Sequence, residues 1–360
     1  MRLPTLDGQR NSTNIDEAEA IRMIRHAVDN GVNYLDTAYP YHGGQSEIVV
    51  GKALRDGYRQ RVKLATKLPT WLVNAPDDFD RILDEQLKKL QTASIDFYLF
   101  HALNKENWNN VVLRHNLLAK AEAALADGRI RHIGFSFHGD YDAFAEILNG
   151  YDRWSMCQIQ FNYMDIDKQA EIRGLKLAAA RRVAVVVMEP LLGGRLAIPP
   201  EDIQQLMLNH HVQRSAAEWA LDWLWDQEEV SLVLSGMSTM DQVEQNLEFA
   251  DESSVGCLTP ADQQLIGNIR TLYSARTVIP CTRCGYCMPC PNGVNIPGNF
   301  EIFNYAHTFD DRINARMHYK VFLKESERAA ACAFCGVCEP LCPQQIEIPK
   351  FMTKVAVFME

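Results

Sequence analysis

A chain of 360 residues, 47% hydrophobic and 23% charged, has the composition of an ordinary globular protein and the length for one large domain plus a small one. Its formal net charge of -10 and lack of a basic block argue against a nucleic-acid surface, no apolar run reaches membrane length, and "MRLPTLDGQRNSTN" lacks the plan of a signal peptide. A cytoplasmic protein with neither nucleic acid nor membrane as partner is expected.

The first element in chain order is a helix from Asp16 to Asn30. Ala20, Ile21, Ile24, Ala27 and Val28 share one face, Asn14 with Glu17 resembles a capping box, and Gly31 supplies the stop. Short β-rich runs then alternate with helical patterns: "NYLDTA", "VKLATKL", "IDFYLFHA", "IRHIGFSF", "CQIQFN", "VAVVVMEP" and "VSLVLSGM". Strand followed by helix, repeated, implies a parallel sheet. Spread over about 250 residues, and with no Gly-x-Gly-x-x-Gly, the pattern fits an α/β fold of the (β/α)8 TIM barrel type better than an open doubly wound sheet.

A barrel gathers its chemistry at the carboxyl ends of its strands. The runs end on Asp36, Lys67, His101, Ser136 with His138, Gln160 with Asn162, Glu189, and the segment Gly236 to Ser238; Tyr41 follows Asp36 by five residues. Any one of these polar residues has an ordinary structural explanation. Their recurrence on successive strands points to one mouth. Cys157 and Cys257 read as small core residues, and Trp219, Trp223 and Trp225 as helix packing.

The barrel is expected to occupy residues 1–250, a helical connector 251–277, and a second domain 278–360. That last stretch holds two dense runs, "CTRCGYCMPCP" and "CAFCGVCEPLCP". Eight cysteines at three- or four-residue intervals favour metal over disulfides. Zinc needs two Cys-x-x-Cys pairs for one tetrahedral site. Here each run has four cysteines and ends in Cys-Pro, close to the bacterial ferredoxin run in which three cysteines hold one cubane and the fourth reaches the other. Cys332, Cys335, Cys338 and Cys342 match that spacing; Cys281, Cys284, Cys287 and Cys290 have one residue fewer before the last cysteine. Two 4Fe-4S clusters are expected over zinc. Between the runs, Phe300, Ile302, Phe303 and Tyr305, then Ile313, Met317, Val321 and Phe322, suit two short helices, so the cluster domain is expected to be α-helical. Asn295 to Pro297 and Ile346 to Pro349 echo each other, which suggests an internal duplication.

Asp36 to Tyr41 in the pattern Asp-Thr-Ala-x-x-Tyr, Thr66-Lys67 and the strand-ending His101 together resemble the aldo-keto reductases, over most of residues 15–250. With the cysteine-rich tail, the chain resembles the subgroup carrying a C-terminal ferredoxin-type domain. The resemblance implies an oxidoreductase that interconverts a carbonyl and an alcohol with NADP(H) or NAD(H). Tyr41 would donate the proton, Lys67 would favour phenolate character in it, Asp36 would hold the ammonium, and His101 would orient the substrate oxygen. Tyr39 is the rival acid, and Trp71 a candidate neighbour of the substrate. Cofactor contacts would come from Ser136, Gln160, Asn162, Glu189, Pro190, Leu191, Gly193, Gly236, Ser238, Gln242 and Asn246.

Three departures bear on these expectations. The first barrel strand of the family would already be ending at "MRLPTLDGQR", so a truncated first strand and two unpaired sheet edges are expected. Ser136 is followed by Phe137 and His138 where the family often has Ser-Asn. Gln242 stands where an arginine usually clamps a 2'-phosphate, and its neutral amide is no substitute for a bidentate fork. A cubane passes one electron and a nicotinamide passes a hydride, which leaves the clusters structural, passing electrons to an external partner, or meeting a two-electron converter in the barrel; of these, service to a redox partner protein is expected. The alternative is a noncatalytic barrel presenting an iron-sulfur electron-transfer module.

Overall fold

The computed structural model describes residues 2–9 and 11–359. They form two compact units: residues up to 197 with 215–259, and residues 198–214 with those from 260 onward.

In the first unit all seven expected strands form: β1 (Tyr34–Asp36), β2 (Lys63–Leu68), β3 (Ile95–Leu103), β4 (Ile130–Phe137), β5 (Met156–Gln160), β6 (Ala184–Met188) and β7 (Leu232–Val233). They pair in sequence order, each parallel to the next, as one curled sheet. The sheet is the (β/α)8 plan less its first strand: among the described residues, β1 pairs only with β2 and β7 only with β6. Each strand has two faces. Ala65, Leu99, Met156 and Val186 pack on the concave side, while Leu64, Tyr98, Phe100 and Phe135 pack outward with the helices.

The first helix spans Glu17–Asp29 and buries Ala20, Ile24, Ala27 and Val28 as its periodicity predicts. Its cap differs from the expected Asn14–Glu17 box: Asp16 accepts from the Glu19 amide at 3.1 Å. The cause lies just upstream, where Leu6 N–H bonds the Asn14 carbonyl and Thr5 bridges Ile15 in antiparallel fashion, so the chain stays extended through Ile15. The helix stops at Gly31, whose φ of +103° is open to glycine alone at little cost.

Behind β2 and β3 lies the helix Asp78–Leu90, whose Phe79 is fully buried edge-on to Tyr98 at 5.6 Å. Phe79→Ala is expected to destabilise this unit by about 3–5 kcal/mol through lost burial and the cavity left behind, read from urea unfolding. Gly51 lets a second helix, Ser46–Ala53, approach closely, because a Cβ there would lie 2.6 Å from the Lys89 carbonyl oxygen. The tryptophans behave as packing: Trp219 is buried and Trp223 lies against Phe161 at 5.2 Å. Cys157 is buried, and burial pushes its thiol up to about 12.

The second unit is helical, with Glu201–Leu208, Pro260–Ala275, Ile296–Thr308, Arg312–Phe322 and Ile348–Met359. Its core gathers Ile279, Phe300, Phe303, Tyr319, Met352 and Val355. Both helices expected between the cysteine runs are present, but the second turns its apolar residues the other way. Ala315 and Tyr319 are its buried residues, whereas Ile313, Met317, Val321 and Phe322 face solvent. Its rotation is fixed by Arg312 and Arg316, which both donate to the Phe358 carbonyl and so cap the last helix. No helix among the described residues is long and apolar enough to cross a membrane.

Candidate functional site

The carboxyl ends of β1, β2 and β3 bring four side chains together. Alternation along β2 sends Thr66 back toward Glu47, to which it donates at 2.6 Å, and Lys67 toward the concave side. The buried Lys67 ammonium donates to Asp36 Oδ1 at 2.6 Å and to the Thr37 carbonyl at 2.8 Å. Tyr41 opens a tight turn after Pro40, and its ring lies 5.1 Å from Lys67 Nζ. The His101 ring stands edge-on to Tyr41 at 6.0 Å, with Trp71 against it at 5.1 Å. Tyr39, the rival acid, is elsewhere. Its hydroxyl donates to Glu85 at 3.1 Å, and Lys89 sits over its ring.

Electrostatics sort these groups by task. Burial pulls the Lys67 ammonium down, but Asp36 and Tyr41 together outweigh it and leave its pKa above the ordinary lysine value. For Tyr41 the balance runs the other way from the expected pull toward phenolate: burial prevails over the Lys67 charge, and the phenol is held above its usual range. Burial, then the Lys67 charge, hold His101 well below the ordinary histidine value, so its ring is neutral. The mouth therefore offers a protonated phenol, an ammonium and a neutral imidazole.

Sequence reasoning missed the support behind Lys67. Gln86 donates to Glu47 at 2.7 Å and to the Lys67 carbonyl at 3.1 Å, and Tyr98 donates to Gln86 at 2.8 Å. These partners lie on the outward face, where an apolar pattern gives no hint of a polar network.

The residues expected to touch a cofactor lie on the remaining strand ends. Ser136 Oγ accepts from the Ala102 amide at 2.8 Å. Gln160 donates to Asp165 and accepts from Gln169; Asn162 donates to the Glu189 carbonyl and accepts from the Met164 and Asp165 amides, so both ends of each amide are engaged within the protein. Glu189, Pro190, Leu191 and Gly193 form a turn in which Glu189 and Gly193 have left-handed backbone, and Arg2 lies 3.8 Å from the Glu189 carboxylate. Gly236 and Ser238 lead from β7 to the helix Met240–Glu252, where Gln242 accepts from the Ser238 amide and Asn246 donates to Ser235. Helix-start amides suit the phosphates of a dinucleotide, whereas Gln242 and Asp241 in the first turn supply no cation for a 2'-phosphate.

In the second unit the cysteines meet across the two runs. One recess is lined by Cys281, Cys284 and Cys287 with Cys342, the other by Cys332, Cys335 and Cys338 with Cys290. Both loops turn alike. Arg283 and Phe334 share a left-handed backbone, as do Gly285 and Gly336; Gly293 N–H bonds the Cys290 carbonyl as Gln345 N–H bonds that of Cys342; and Ile-Pro opens the helix that follows each. The internal duplication is therefore visible in the backbone. Burial, then neighbouring sulfurs, push the Cys281 and Cys287 thiols up, and Cys338 up to about 11. Cys342 acts on the first two and Cys290 on the third. Four thiolates so close require a cationic centre, and an all-sulfur donor set with ferredoxin spacing fits a 4Fe-4S cluster.

A family model for the aldo/keto reductase family matches residues 5–255, and one for a 4Fe-4S dicluster domain matches residues 280–347. The chain is 28% identical over 201 residues to an uncharacterized oxidoreductase, YrpG, of Bacillus subtilis, covering 50% of this chain and 60% of that protein. It is 39% identical over 130 residues to aldo-keto reductase YhdN of the same organism, covering 34% and 38%. The chain thus spans less than two thirds of either relative. Among solved structures, the holo form of aldo-keto reductase AKR11C1 from Bacillus halodurans aligns with a TM-score of 0.59 at 27% identity, over 70% of this chain and 87% of that one. The chain belongs to the aldo/keto reductase family, and its C-terminal part is a helical 4Fe-4S domain.

Proposed function

We propose that the sheet unit interconverts a small-molecule carbonyl and its alcohol with NADP(H) or NAD(H), and that the second unit carries two 4Fe-4S clusters, one per four-cysteine recess, which exchange electrons with a redox partner protein. The observation that carries the first part is the buried Lys67 ammonium bonded to the Asp36 carboxylate, with the Tyr41 ring 5.1 Å from its Nζ. Bound nicotinamide supplies the hydride. Tyr41 gives its proton to the carbonyl oxygen, and Lys67 stabilises the phenolate left behind. Asp36 holds the ammonium in place, neutral His101 orients the oxygen, and Trp71, half exposed beside His101, screens that oxygen from water. The cluster count matters because a hydride carries two electrons and a cubane passes one.

The test is a separate anaerobic titration with NADPH and NADH, followed by turnover of aldehydes and ketones; saturable binding of neither nicotinamide would reject the proposal. Its pH dependence has a definite sign. Reduction needs protonated Tyr41, whose pKa is raised, so the rate is expected to be flat through neutral pH and to fall only as pH rises past about 10. Alcohol oxidation, which needs the phenolate, should rise over the same range. A reduction rate already falling between about pH 7 and 9 would contradict the assignment.

A further inference from the structure

We propose that Ser136 is a positioning residue for His101, fastening a strained bulge in β3; the functional part of this inference rests on the reductase reading above. β3 and β4 run in register from Ile95 opposite Ile130 to Phe100 opposite Phe135, and then resume at Leu103 opposite Phe137. His101 and Ala102 together therefore face the single residue Ser136, which is a β-bulge.

The bulge changes which way β3 faces. Leu99 belongs to the concave cluster, while Tyr98 and Phe100 pack outward with the helices. Strict alternation from His101 would put Leu103 on the concave side, yet Leu103 is buried in the outer core. The extra residue lets His101 face Tyr41 and Trp71 while Leu103 returns to the helices.

Ala102 bears the strain, with φ at +53°, in the left-handed region a side chain rarely adopts. Three side chains bind the polar groups that the bulge removes from the ladder. Ser136 Oγ accepts from the Ala102 amide at 2.8 Å, Thr70 Oγ1 donates to the His101 carbonyl at 3.0 Å, and Asn107 Nδ2 donates to the Ala102 carbonyl at 3.3 Å. Ser136 and Thr70 are both buried. Removing the Ser136 oxygen would leave a part-buried amide without its acceptor inside a strained turn, and the relief open to the chain is to shift His101.

The experiment uses the full chain with its clusters, compared as wild type, Ser136→Ala, Ala102→Gly and the double variant. Three readouts are taken: NADPH affinity by fluorescence titration, turnover of 4-nitrobenzaldehyde at saturation, and the His101 ring signal in histidine-labelled protein, identified with His101→Gln. Ser136→Ala is expected to move the ring signal and to lower turnover at saturating NADPH at least tenfold. Ala102→Gly alone should match wild type. In the double variant, glycine adopts the left-handed backbone without penalty, so the ring signal and turnover should return to within about threefold of wild type. An unmoved ring signal in Ser136→Ala, or no recovery in the double variant, would overturn the proposal. Should wild type fail to turn over any carbonyl, the reductase reading falls, and the ring signal still decides the role of Ser136.

Discussion

Tyr41→Phe is expected to lower carbonyl reduction by about 10²–10⁴-fold, the usual contribution of a positioned general acid, while nicotinamide affinity stays within about twofold. The substitution keeps the ring that stands edge-on to His101 and 5.1 Å from Lys67 Nζ, and removes only the phenol oxygen. Steady-state kcat with NADPH and with NADH is the measurement, and turnover near wild type would reject Tyr41 as the donor. Tyr39→Phe is the matched control, expected to leave kcat unchanged because that hydroxyl is bonded to Glu85. Lys67→Met should be more damaging in a second way. It leaves Asp36 buried without its cation, so a loss of about 3–5 kcal/mol in stability should accompany the loss of rate.

The second large effect concerns the crossed cysteines. Cys342→Ala is expected to remove the cluster held by the first run, because Cys342 lines the recess of Cys281, Cys284 and Cys287. Cys290→Ala should remove that of the second run. Each variant should lose about half of the iron and acid-labile sulfide of the wild type, as expected for one of two four-iron centres. Paired substitutions distinguish crossed from sequential ligation. With crossed ligands, adding Cys281→Ala to Cys342→Ala removes little more iron, since both serve one recess, whereas adding Cys332→Ala empties both. Sequential ligation predicts the opposite pattern, and observing it would refute the crossed arrangement.

Much of this could be read from the residues alone. A strand that packs on both faces needs a dense apolar run, and a helix that packs on one needs a 3.6-residue stripe, so the seven strands and the helix before them follow from local pattern. The candidate site residues are legible for a related reason. Asp36, Lys67 and His101 lie at or near the carboxyl ends of successive strands, and a parallel sheet places all such ends on one side. The spacing of the cysteines likewise points to a metal before any fold is known.

Tertiary structure decided which atoms meet. Tyr39 and Tyr41 both lie in "DTAYPY", and only the turn beginning at Tyr41 brings one ring to 5.1 Å from Lys67 Nζ while the other phenol bonds Glu85. The periodicity of Ile313, Met317 and Val321 marks a helix correctly but names the wrong buried face, because Arg312 and Arg316 set its rotation through a carbonyl some forty residues on. The direction of the Tyr41 shift depends on burial, which no sequence window reports. The bulge at His101 and the exchange of Cys290 and Cys342 between recesses are of the same kind. Periodicity is a property of neighbours along the chain, whereas register, rotation and desolvation arise only when distant segments compete for the same space.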